Sequence, residues 1–116
     1  MKATIQKGNI VLVSYPFASS KGAKIRPALV LLARTKFPDN VLAFITSVKT
    51  HNVEQTEVLI DQKHPEFSQT GLKKDSKIVL DKVATVLKRD VKGSMGDLGP
   101  ILRSEVNKLI PQIYRL

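Results

Sequence analysis

Helical periodicity occurs in one place along this chain, after Gly99-Pro100, where Ile101, Leu102, Val106, Leu109, Ile110 and Ile113 fall mainly on one face. Everything ahead of it breaks into short runs rich in β-branched residues, separated by turn formers. A chain of 116 residues has room for a single core, so one domain is expected over residues 1–116. Short strands, frequent turns and a lone helix at the end fit a mainly β fold: a small, strongly bent barrel rather than a doubly wound sheet.

The runs can be placed one by one. Asn9-Ile10-Val11-Leu12-Val13-Ser14-Tyr15 follows Gly8 and reads as a first strand, ended by Pro16. Residues 17–24 are small and polar, with two lysines, and read as a loop. Residues 26–34 form the second strand, whose consecutive apolar residues imply burial on both faces. Pro27 is tolerated at its entry, where no ladder hydrogen bond has to be donated. A third strand spans residues 41–47, after the Pro38-Asp39-Asn40 turn, and a fourth spans 57–60. Residues 61–74 read as irregular, with Pro65 and Gly71 inside them. Two further short strands are expected at 76–80 and 84–87, separated by Asp81-Lys82-Val83. Pro100 suits the first position of the closing helix, and Pro111 is expected to kink or split it.

Composition removes several classes of function. The chain has no cysteine, which excludes disulfides and thiolate metal sites, and two histidines are too few for a typical zinc centre. The longest apolar run, residues 28–33, is far too short for a membrane span, and the N-terminus lacks an export-type segment. A cytoplasmic protein without metal or cofactor is expected. No Walker or dinucleotide glycine pattern occurs, no His-Glu-x-x-His helix and no Gly-x-Ser-x-Gly elbow. The net charge of +9 and a pI near 10.0 favour polyanions or acidic proteins as partners.

What remains is a set of polar groups at strand ends. Arg26 enters the second strand, Thr46 and Ser47 leave the third, and Lys21 and Lys24 lie in the loop before Arg26. A guanidinium is always charged and forked, so it grips a phosphate through two hydrogen bonds but cannot act as a base. Taken alone, an Arg-Pro at a strand entry is an ordinary solvated arginine. Thr46 is too weak an acid or base unaided, and holding a phosphate oxygen is the more sensible role for its hydroxyl. Lys21 and Lys24 either track a nucleic-acid backbone or merely solvate their loop. Phe17 either stacks on a splayed base or anchors the core behind Pro16. His51 is either a general acid or base or a solvated loop residue. His64 has less to recommend it, and Lys88-Arg89 with Lys92 read as a solvated charged rim.

An ordered series of segments resembles one family. Lys7-Gly8-Asn9-Ile10-Val11-Leu12-Val13, Tyr15-Pro16-Phe17, Arg26-Pro27-Ala28-Leu29-Val30-Leu31 and Ile45-Thr46-Ser47 are similar to the MazF/PemK toxins of type II toxin–antitoxin pairs. Gly71-Leu72, Asp75-Ser76, Leu80-Asp81-Lys82-Val83, Thr85-Val86, Gly96 and Leu98 continue the likeness over nearly the whole chain. The resemblance implies an SH3-like barrel (CcdB/PemK-like) with a C-terminal helix, usually paired as a homodimer. It implies a metal-independent endoribonuclease acting on single-stranded RNA, leaving a 2′,3′-cyclic phosphate and a 5′-hydroxyl. Arg26 and Thr46 occupy positions that the family uses in catalysis, and Ser47 is their neighbour. An acidic antitoxin, folding across the barrel over Arg26 and its loop, is the partner implied.

Three departures stand out. Ala84 occupies a position where many relatives carry an arginine, so a second arginine would come from Arg89 or from a partner subunit. Val48 replaces a frequent glutamine, and Ser19-Ser20-Lys21-Gly22 replaces an acidic loop segment. Two other functions therefore compete: inhibition of a protein target such as DNA gyrase, as in same-fold relatives, and RNA binding without chemistry.

Overall fold

The computed structural model describes residues 4–15 and 24–116. Its strands are β1 (Asn9–Tyr15), β2 (Lys24–Ala33), β3 (Asp39–Thr46), β4 (Glu57–Ile60), β5 (Ser76–Leu87) and β6 (Val91–Asp97). A one-turn helix, α1 (Phe67–Thr70), lies between β4 and β5, a 3-10 turn (Lys88–Asp90) joins β5 to β6, and α2 (Pro100–Ile113) closes the chain. The strands form one antiparallel sheet in the order β4-β5-β3-β2-β1-β6. β4 and β6 are its edges, so the barrel is not closed.

Chain connectivity nevertheless requires a strong curl. Leu87, ending β5, pairs with Asp39 at one end of β3, whereas Val91 pairs with Val13, which in turn pairs with Arg26. On a flat sheet β5 and β6 would stand four strand spacings apart, about 19 Å. The chain from Leu87 to Val91 spans at most about 14 Å even when extended, and here it is a 3-10 turn. The sheet must therefore bend until its two outer halves approach. Register shifts in the β1–β6, β2–β3 and β3–β5 ladders supply bulges where that bending is taken up.

The curl creates two cores. Inside it, Val11, Val13, Ala28, Val30, Leu42 and Val86 are buried, with Phe44, Ala84 and Val91 packed against them. On the outer face Ile10, Leu29, Ala43, Ile45, Val58, Ile60, Ile78 and Leu80 pack beneath Leu102 and Val106 of α2. Of the apolar run 28–33, Ala28, Leu29 and Val30 are buried on both faces as expected, whereas Leu32 is exposed. Ile101 is exposed instead of joining the apolar face of the helix.

Three local expectations change. Residues 76–87 make one strand rather than two, because Asp81-Lys82 is part of a bulge. Ala43 faces Val83 and Phe44 faces Val79, leaving Leu80, Asp81 and Lys82 without partners on β3. Leu80 turns its N–H to Thr56 C=O (3.0 Å) and stays buried. Residues 91–97 form an additional strand along β1. Pro111 does not split α2: it falls in the last turn, and the Tyr114 hydroxyl donates to Leu80 C=O just beyond.

The start of α2 is capped from elsewhere in the chain. Gly99 has no side chain to offer, and the buried Glu66 carboxylate accepts the N–H groups of Ile101 (2.9 Å) and Leu102 (2.8 Å). Gly71 ends α1 with φ 77°, a left-handed conformation that glycine takes without strain. Among the described residues no helix is long and apolar enough to cross a membrane.

Candidate functional site

Strand alternation decides which polar side chains share a face. Arg26 pairs with Val13 and lies on the inner face with Ala28 and Val30, beyond the end of the inner core. Thr46 lies on the same face as Leu42 and Phe44. The β2–β3 register ends at Ala28↔Phe44, and carried two residues further it sets Arg26 across from Thr46. Thr46 pairs next with Lys77 of β5. Arg26, Thr46 and Lys77 thus form a transverse row over three adjacent strands, about 10 Å from end to end at the backbone.

Exposure falls along this row. Arg26 is exposed, Thr46 half-buried and Lys77 buried. Among the described residues the Arg26 guanidinium makes no hydrogen bond and no ion pair. Pro27, just behind it, precedes the first β2–β3 pair, so its missing N–H leaves no gap in that ladder. The Thr46 hydroxyl oxygen accepts the N–H of Val48 (3.1 Å), which leaves its own proton free to donate.

Lys77 is differently held. Its ammonium pairs with Glu57 (2.8 Å) and donates to Asn52 C=O (3.0 Å). Glu57 in turn accepts the N–H of Glu54 (2.8 Å). Burial alone would raise the Glu57 carboxyl. The hydrogen bonds from Lys77 and Glu54, with the charges of Lys77 and Lys82, outweigh burial and hold it below its ordinary value. The other ion pair among the described residues, Arg34–Asp39 (3.1 Å), lies at the far end of β2 and β3.

The remaining candidates are distributed around this row. Lys24 opens β2, exposed and on the same face as Arg26. Ser47 follows Thr46 at the start of the β3–β4 connection, exposed, and His51 is exposed within that connection. Phe17 and Lys21 lie outside the described residues. Ala84 is packed against the inner core and pairs with Leu42, one stretch of strand away from Thr46. Arg89 is exposed in the 3-10 turn, two residues before Val91, which stands in the row of Val13 and Arg26. Sequence reading missed Lys77 and Glu57. The available signal was a lysine heading the apolar run Lys77-Ile78-Val79-Leu80, a place where a charge needs a buried partner.

A family model described as "PemK-like, MazF-like toxin of type II toxin-antitoxin system" matches residues 6–114. Among curated protein sequences none matches. Among solved structures, a Mycobacterium tuberculosis toxin, MazF-mt6, superposes with a TM-score of 0.72 at 21% identity, covering 93% of this chain and 97% of that one. An endoribonuclease from a mycobacterial species gives 0.69 at 14% identity, with 95% of this chain and 90% of that chain covered. A mycobacterial endoribonuclease in complex with its cognate antitoxin gives 0.69 at 15% identity, covering 91% and 90%. At these identities the structural likenesses establish the fold.

Proposed function

The chain belongs to the PemK-like, MazF-like toxin family of type II toxin–antitoxin systems, and from that premise we propose that it is a metal-independent endoribonuclease acting on single-stranded RNA. The observation that carries this reading is the row geometry: an exposed arginine without a partner among the described residues, fixed by a strand across from a threonine hydroxyl. In the reaction the ribose 2′-hydroxyl attacks the adjacent phosphorus and the 5′-oxygen leaves. A 2′,3′-cyclic phosphate and a 5′-hydroxyl result. Arg26 grips the phosphate oxygens on which charge builds, a contribution of about 2.7–4 kcal/mol for one preorganised donor. Thr46 and Ser47 donate hydroxyl hydrogen bonds to the same group. Lys24, with Lys21, neutralises flanking phosphates, while Phe17 and His51 contact the RNA beside the cut.

The cognate partner is an acidic antitoxin, drawn by the +9 charge of the toxin and covering Arg26. Two copies of the chain pair as a homodimer. Leu32, Val83 and Leu87, left exposed on the outer face of β2 and β5, offer the apolar surface for that pairing. The setting is the cytoplasm.

The test is incubation of the purified protein with mixed-sequence single-stranded RNA in EDTA, followed by analysis of the new ends. Cutting with 5′-hydroxyl ends is expected, together with no cutting where the 2′-hydroxyl at the cleaved position is replaced by hydrogen. RNA left whole, or cut only with added magnesium, would overturn the mechanism. Ala84, standing where relatives place an arginine, favours one second reading: the same face binds RNA without cutting it. Salt-sensitive binding with no product would support that alternative.

A further inference from the structure

The β3–β4 connection, residues 47–56, carries Ser47 and His51 and directly follows Thr46, the last residue of β3. Two turns shape it: Asn52 N–H donates to Lys49 C=O (3.1 Å), and Glu57 N–H donates to Glu54 C=O (3.1 Å). Lys49 sits in a left-handed conformation (φ 55°), which a lysine does not favour by itself. Apart from Thr50 and Thr56 the connection is exposed, so apolar burial does little to fix it.

The Lys77–Glu57 pair does what burial does not. One ammonium holds the carbonyl of Asn52 in the first turn, and one carboxylate holds the N–H of Glu54 in the second. The two groups bind each other at 2.8 Å, with side chains 7% and 10% exposed. Lys77 is also the register partner of Thr46. The clamp therefore ties the connection to the very strand position beside the proposed phosphate site. Stability alone does not explain it, because a buried ion pair commonly does no better than apolar residues of similar volume. Ile78, Val79 and Leu80 show that this part of β5 is otherwise apolar. What an apolar pair would lack is the donor for Asn52 and the acceptor for Glu54.

We propose that Lys77 and Glu57 are positioning residues: a buried ion pair that clamps residues 47–56 and so holds Thr46, Ser47 and His51 in working relation to Arg26. This rests on the nuclease reading above. Neither residue needs to touch RNA. Their effect belongs to turnover more than to binding, since small displacements of aligned groups cost rate steeply.

The experiment uses the double variant Glu57→Leu/Lys77→Met, which removes both charges and keeps the volume, alongside each single substitution. Amide hydrogen exchange reports the clamp, and steady-state cutting of fluorescent mixed-sequence single-stranded oligoribonucleotides in EDTA reports its use. In the double variant, exchange at Glu54 N–H rises while Ala43 and Ile45 keep their protection. There kcat falls about tenfold or more, with KM changed less than about threefold. Unchanged Glu54 exchange would refute the clamp, and faster exchange with kcat intact would refute its role in the site. A parent protein that leaves the RNA whole would remove the nuclease reading and this inference with it. That result is distinguishable because the exchange difference would persist.

Discussion

Arg26 stands in a strand whose residues just beyond Pro27, namely Ala28, Leu29 and Val30, are all buried, so its backbone has little freedom to move. The same rigidity serves Glu57, whose carboxyl meets Lys77, Glu54 N–H and the field of Lys82. Because its folded value is depressed, the unfolded chain binds a proton more readily, and stability rises with pH between the two values. The contribution is complete above the unfolded value of about 4.3 and disappears as pH falls through the folded value. Urea unfolding midpoints at about pH 6 and about pH 3.5 should therefore differ more in the parent chain than in Glu57→Leu/Lys77→Met. Equal differences in the two proteins would remove Glu57 from the acid response. Arg26 and Thr46 were legible in the sequence as polar groups near strand ends, but only the family resemblance singled them out as site positions; taken alone, Arg26 reads as a solvated arginine. The Lys77–Glu57 pair was not legible, since its partners meet only through the β4–β5 register and look like surface charges in isolation.

The elements depend on contacts of the same long reach. The N-terminus of α2 relies on Glu66, a residue 35 and 36 positions earlier than the amides it binds. Glu66→Ala should destabilise the fold by about 2 kcal/mol, the range of a lost cap with buried donors left unpaired. Glu66→Gln should recover part of this by keeping one acceptor oxygen, as urea unfolding would show. If Glu66→Ala unfolds at the parent midpoint, the cap carries no weight. Strands β1 to β4 and α2 were readable from their own residues. β6 was not: Val91-Lys92-Gly93-Ser94-Met95-Gly96-Asp97 has little β propensity, and pairing with β1 makes it a strand. Gly96 is needed there because a Cβ would collide with the Gln69 carbonyl. The bulge at Leu80-Asp81-Lys82 likewise looks like a loop until β3 is seen on one side and Thr56 on the other.

At the scale of the whole molecule, the curl forced by the short β5–β6 turn places the row of Arg26 and Thr46 at the end of the inner core and α2 on the outside. A basic protein thus presents an arginine at the rim of its own barrel, with the helix face kept clear of it. Composition favours a polyanion or an acidic protein as partner, and only the strand register sets Arg26 and Thr46 on one face. The central claim is that this guanidinium stabilises the phosphate as the ribose attacks. Its most direct measurement is the single-turnover cutting rate of Arg26→Ala on single-stranded RNA in EDTA, with circular dichroism to establish that the fold is retained. A loss of about 10²–10³-fold or more in a folded variant is the outcome this account requires. A folded Arg26→Ala protein cutting at the parent rate would contradict it.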